Sequence, residues 1–256
     1  LSLLLCDDPP FAMTTTHPGP ISEHANPADA ALRQGFGPRV RQLHSRIGKA
    51  HHQAEGMAFS RSLLEGRATP LQLAALLRAL TPAYALLDQQ VRELAPALGA
   101  TASPWAALAR SAALEHDLTR LAALPATPLS PAATHWLEQL HHLAAEAPHR
   151  LMAHAYVRYG GDLSGGQQLA LQANAILAAH GLPALSFWVF EEPIPDLKQA
   201  LHDAFEQLQL TPDQQEDLLA EAVAAFHATQ RLLAELDGLA ELDALAGPDA
   251  AVAATP

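Results

Sequence analysis

The chain has 256 residues, 49% hydrophobic and 16% charged, which is too apolar for a disordered protein and long enough for one large domain with tails or two small ones. Fifteen Lys and Arg against 27 Asp and Glu leave a formal charge of −12, the wrong sign for a broad phosphate-binding surface, so nucleic acid is excluded as an expected partner. The single cysteine, Cys6, excludes an internal disulfide framework and a cysteine-based zinc or iron–sulfur site; any metal must be held by carboxylates or by some of the 14 histidines.

Leu3–Cys6 is a short apolar run without a basic flank, unlike the core of a secretory signal. No run approaches the ~20 uninterrupted apolar residues that cross a bilayer, so the expectation is a cytoplasmic protein without a membrane anchor, with Met13 nearer the biological start than Leu1. Pro, Thr, Ser and Gly dominate from Asp7 to Pro27, and residues 1–27 read as a disordered arm. Alanine and leucine dominate from Asp29 onward and no period-2 pattern occurs, which predicts an all-α domain over 28–240 and a frayed tail over 241–256. The expected helices are Ala30–Leu64, Pro70–Leu94, Ser103–Leu121, Pro131–Glu146, Pro148–His180, Pro195–Leu208 and Pro212–Leu239. Thr69-Pro70, Ser130-Pro131 and Thr211-Pro212 each place a capping hydroxyl before a proline at the first helical position.

Tyr159–Gln167 carries Gly160, Gly161, Gly165 and Gly166 between strongly helix-forming flanks. Four interior helical glycines cost about 4 kcal/mol relative to alanine. Either this stretch is a loop between two helices, or it is a kinked helix whose missing Cβ atoms let the backbone approach a flat ligand. Leu163-Ser164-Gly165-Gly166-Gln167 is identical to the signature pentapeptide of ABC-transporter ATPases, but Gly48-Lys49-Ala50 lacks the rest of a phosphate loop, and no dinucleotide glycine spacing occurs.

His51 and Glu55 stand four apart on a helix and share a face, as a metal ligand and its supporting carboxylate would, or as an ordinary solvated pair would. His52 lies about 100° further round and is expected to be the less suited of the two to Glu55. Glu138-x-x-His141 has the spacing of a helical di-iron ligand pair, without the second unit such sites need. His154, Arg158, Asp162 and Gly165 advance by four, four and three residues, one stripe on a continuous helix.

The run Leu151-Met152-Ala153-His154-Ala155-Tyr156-Val157-Arg158-Tyr159-Gly160-Gly161-Asp162-Leu163-Ser164-Gly165-Gly166-Gln167 closely resembles the distal-helix signature of haem oxygenases. About a hundred residues upstream, His51-His52-Gln53-Ala54-Glu55 resembles the family's proximal-histidine segment, and the similarity continues through Leu197-Lys198-Gln199 to Thr211-Pro212. The resemblance implies a single helical domain that clamps haem, both cofactor and substrate, between a proximal helix and a kinked glycine-rich distal helix. It implies cleavage of haem to biliverdin, carbon monoxide and ferrous iron, using dioxygen and electrons from an external reductase, flavoprotein or ferredoxin.

Carried over by resemblance, His51 is the axial iron ligand and Glu55 holds its ring. Gly161 and Gly165 pack on the distal face, Asp162 organises proton-delivering water, and Tyr84 and Arg158 support that network. Tyr156 and Lys198 match contacts to the haem propionates. His44 and His202 stand where many relatives carry Lys or Arg, which makes anchoring weaker or pH-sensitive, with Arg41 or Arg46 as candidates to compensate; cleavage at the α-meso position is the expectation. The other reading of the same residues is a haem carrier or sensor that does not turn over.

Overall fold

The computed structural model describes residues 36–101 and 104–246, and the described backbone contains helices and no strands. In chain order these are α1 (Pro38–Glu55), α2 (Ala58–Leu64), α3 (Pro70–Ala97), α4 (Trp105–Leu108), α5 (Ser111–Arg120), α6 (Pro131–Glu146), α7 (Pro148–Leu163), α8 (Gly165–Ala179), α9 (Ile194–Gln207) and α10 (Pro212–Ala246). The expected N-terminal arm and residues 247–256 lie outside the described residues.

The three hydroxyl–proline starts form as the chemistry dictates. Thr69 Oγ1 accepts from Gln72 N at 3.2 Å while the Gln72 side chain accepts from Thr69 N at 2.9 Å, a reciprocal box. Thr211 and Gln214 repeat it at 3.0 and 3.2 Å, and Ser130 Oγ accepts from Ala133 N at 2.9 Å. Each such cap satisfies an N–H that has no partner within the helix.

Three expected spans are broken. The first is interrupted at Gly56-Met57, where Met57 turns extended at φ −70°, ψ 153° before α2 begins. The third is interrupted at Ala109, and the reason lies elsewhere in the chain: buried Asp88 of α3 accepts from Arg110 N at 2.9 Å and Ser111 N at 2.8 Å, capping α5 with a carboxylate its own sequence lacks. The fifth, expected over Pro148–His180, is broken at Ser164 alone, so the glycine-rich stretch is a helix with a one-residue bend and not a loop. Gln167 spans that bend, its Nε2 donating at 3.1 Å to both the Asp162 and Trp188 carbonyls.

Leu73, Leu77, Leu80, Tyr84, Leu87 and Val91 are buried along α3 at alternating four- and three-residue steps, one stripe facing the centre of the bundle. Each fully buried leucine contributes about 2 kcal/mol. Helices α5, α6, α7 and α10 pack against α3. By length and mean hydropathy α3 could cross a membrane, but more than half of that window is buried inside the bundle. The last helix, α10, packs against both α7 and α1, and buried Ala222, Ala225 and Ala228 let those backbones come close. It therefore ties the helix bearing His51 to the helix bearing Asp162.

Candidate functional site

Between α1, α7, α9 and α10 lies a cavity of about 300 Å³, within the range of small-molecule sites. His44, His51 and Glu55 reach it from α1; Tyr156, Arg158, Gly161 and Asp162 from α7; Lys198 and His202 from α9. The two segments singled out a hundred residues apart thus face one space, whose remaining wall is mainly aliphatic and aromatic.

On the α1 side, Glu55 is 5% exposed and its carboxylate receives two imidazoles: His51 Nδ1 at 3.8 Å and His52 Nδ1 at 3.2 Å. The expectation that His52 would stand apart from Glu55 is corrected. Three residues turn a helix through about 300°, so i, i+3 neighbours are only about 60° apart and both rings straddle the carboxylate. The His52 side chain is 70% exposed, that of His51 12%. Burial lowers the His51 pKa, Glu55 pulls it up and His52 lowers it further, so the ring is neutral at pH 7 and able to ligate. Phe226 of α10 meets the His51 ring edge-on at 5.6 Å.

On the α7 side, Arg158 Nε donates to the Tyr84 oxygen at 3.3 Å, and the Tyr84 hydroxyl donates to Asp162 Oδ2 at 2.5 Å. Arg158 also donates to Thr229 Oγ1 at 3.0 Å. Among the described residues no protein group donates to the second Asp162 oxygen. Burial raises the Asp162 pKa to about 6, opposed by Arg158, by the Tyr84 hydrogen bond and by Arg110, with Asp88 adding to the rise. Burial and the adjoining Asp162 raise the Tyr84 pKa well above the ordinary phenol value, so Tyr84 is the proton donor of the pair. Tyr84 does not itself line the cavity; it acts through Asp162.

The glycines separate by role. A Cβ on Gly161 would meet nothing within 4 Å, because that backbone faces the open cavity. Gly165 is buried and is not part of the cavity wall, whereas Gly166 is. A Cβ on Gly166 would lie 2.6 Å from Trp188 Cδ1, so this glycine lets the indole seat against the bend. Asp117 holds the segment before Trp188, accepting from Ser186 N and Phe187 N at 2.8 Å and from Ser186 Oγ at 2.7 Å.

At the rim, the His44 ring stacks on Phe36 at 4.8 Å, and the His202 ring meets Phe36 edge-on at 4.7 Å. Burial is the main cause lowering the His202 pKa; Lys198 also lowers it, while Asp203 and Glu206 raise it, so the ring is uncharged at pH 7. Lys198 is then the rim's fixed charge on α9. Arg46 pairs with Glu216 at 2.7 Å and Arg41 with the Phe36 carbonyl, and neither is part of the cavity wall. Tyr156 is buried beside both imidazoles, and burial raises its pKa.

Glu138 and His141 are exposed on α6 and form no inward ligand pair. His154 is buried in a separate relay: Trp136 Nε1 donates to its Nδ1 at 3.1 Å, and its Nε2 lies 2.9 Å from Glu221, which Arg150 also contacts. Phe226, Thr229, Trp188 and Gln167 escaped sequence reasoning. The i, i+3 spacing of Phe226 and Thr229 puts them on one face of α10, but alanines surround them and nothing marked that face as functional.

The chain is similar to known proteins over most of its length. The family model described as Heme oxygenase matches residues 40–235. Heme oxygenase 1 of Pongo abelii is 31% identical over 202 residues, covering 75% of this chain and 69% of that protein. A heme oxygenase structure from Leptospira interrogans has a TM-score of 0.69 at 27% identity, covering 78% of this chain and 100% of that one. Heme oxygenase-1 from Synechocystis sp. PCC6803, solved in complex with heme, shares the fold with a TM-score of 0.74 at 24% identity, covering 82% of this chain and 98% of that one. With that family model matched from α1 into α10, the chain belongs to the haem oxygenase family and is a haem-degrading enzyme.

Proposed function

We propose that this protein cleaves haem to biliverdin, carbon monoxide and ferrous iron, with His51 as the axial ligand and Asp162 organising proton-delivering water on the opposite side. The observation that carries the reading is the shared cavity: a neutral imidazole on α1 and a Cβ-free stretch of α7 that ends in a buried, ionisable carboxylate. The residues fit the group, since Gly161 leaves open space where any side chain would intrude. When bound, haem supplies both the iron that activates dioxygen and the ring that is cleaved.

The chain's own residues do the rest. The Glu55 carboxylate lies 3.8 Å from His51 Nδ1, beside that nitrogen, and favours a proton there, leaving the other nitrogen as ligand. Tyr84, itself a hydrogen-bond acceptor from Arg158, orients Asp162, a residue of the cavity wall, so that one carboxylate oxygen is committed and the other is left to water. That oxygen holds and relays a proton through water, which a group with a pKa of about 6 can both accept and release near neutral pH. Lys198 and Tyr156 anchor the propionates, and the neutral His202 gives hydrogen bonding without charge, so anchoring is weaker than a Lys or Arg rim provides. Cleavage at the α-meso position, electrons from a separate reductase, flavoprotein or ferredoxin, and a cytoplasmic setting belong to the same reading, with residues 28–240 as the catalytic unit.

Aerobic incubation of the protein with haem and a reductant tests this. Biliverdin and carbon monoxide in equal amounts are expected. Haem that persists after many equivalents of electrons contradicts turnover.

A further inference from the structure

The buried Glu55 carboxylate sits between two imidazoles and, among the described residues, no Arg or Lys reaches it. The resemblance accounts for His51; nothing in the haem reading uses His52. Ligand atoms of His51, His52 and Glu55 all lie within 4.8 Å of one another. Two of the spacings are 3.2 and 3.8 Å, both to Glu55 Oε2. A tetrahedral ion at about 2.0–2.1 Å from each ligand needs neighbouring ligand atoms about 3.3 Å apart, so the His52–Glu55 pair already has that spacing and rotation of the imidazole side chains brings the remaining ligand atoms in. The exposed mouth at His52 is the entry path, and the buried carboxylate supplies the negative charge that makes occupancy by a cation favourable.

We infer that His51, His52 and Glu55 form a binding site for a divalent transition-metal cation of the zinc, cobalt or nickel class in the haem-free protein. Mixed imidazole and carboxylate ligands suit those ions better than magnesium or calcium. Three protein ligands leave a fourth position to water.

The site and the haem ligand compete through one proton. A cation on His51 Nδ1 uses the lone pair there, and the ring proton then occupies Nε2. Ligation of haem iron through Nε2 requires the proton on Nδ1. Each neutral imidazole carries a single N–H, so no net proton is taken up or lost and the two states exclude one another. This antagonism rests on the haem ligation proposed above; the cation site does not.

The test uses the full haem-free chain, its His52→Ala variant and its Glu55→Gln variant. Cobalt(II) binding is followed by visible d–d absorption and zinc(II) binding by calorimetry. Because the chain has 14 histidines, the quantity read is the difference between proteins. The wild type is expected to bind one equivalent more than His52→Ala, or to bind it at least about tenfold tighter, since losing even an outer partner of a metal ligand costs that much. Glu55→Gln is expected to lose the same equivalent. His52 is exposed, so its variant folds. Equal cobalt and zinc binding by wild type and His52→Ala overturns the site.

Haem uptake, read from growth of the Soret band, is expected to slow about tenfold in saturating zinc for the wild type and to be unaffected by zinc in His52→Ala. Equal slowing in both proteins overturns the antagonism. Failure of the wild type to give a histidine-ligated spectrum without metal removes the haem reading, while the cobalt difference still decides the cation site.

Discussion

Tyr84 on α3 and Asp162 at the end of α7, 78 residues apart, share a 2.5 Å hydrogen bond in which the phenol donates and the carboxylate accepts. This bond holds the Asp162 pKa below the value burial alone would set. Tyr84→Phe removes it, and the Asp162 pKa rises above about 6. If ionised Asp162 relays protons, the acid limb of the pH–rate profile for haem loss lies near that value in the wild type and moves to higher pH in the variant. An unmoved limb contradicts the role of the pair.

Asp162 also makes stability pH-dependent. Its folded pKa is raised from 3.8 to about 6, so its contribution is fully present below pH ~4 and is lost as pH rises through ~6. Asp162→Asn abolishes that dependence. In urea unfolding of the haem-free protein, the variant gains on the wild type by about 3 kcal/mol between pH 3.5 and pH 7.5, as an order of magnitude for two pKa units. A gap constant with pH contradicts the assignment.

The glycines of the bend give opposite substitutions. Gly161→Ala enters open space and, as an interior helical position, gains up to about 1 kcal/mol; Gly161→Leu keeps the fold but fills the cavity and weakens haem binding. Gly166→Ala drives a methyl group into Trp188 and costs about 1–3 kcal/mol. Melting temperatures and haem titrations of the three variants check both halves.

The His154 relay is a matter of stability. Glu221→Ala leaves a buried imidazole N–H and Arg150 without their shared acceptor and is expected to cost about 2–4 kcal/mol in urea unfolding, with the haem spectrum unchanged. A changed axial spectrum contradicts the separation of this relay from the site.

Much of the fold was legible because its signals are local. The hydroxyl–proline starts of α3, α6 and α10 need only neighbours in sequence, and they form as written. The break before α5 was not legible, since the carboxylate that caps it belongs to α3. The bend at Ser164 was half legible: four glycines announced a departure, but the Gln167 bridge and the Trp188 contact that fix its form lie in tertiary structure. The stripe of Arg158 and Asp162 could be read from helical spacing, whereas Thr229 entered the network only when α10 folded across α7. His52 was misjudged by angular distance from His51, although its distance to Glu55 was the relevant one.

The central claim is that His51 is the iron ligand. His51→Ala reconstituted with haem, examined by resonance Raman and paramagnetic resonance, is expected to lose the histidine–iron signature and to regain it when free imidazole is added. A variant whose spectra match the wild type before imidazole is added contradicts the account.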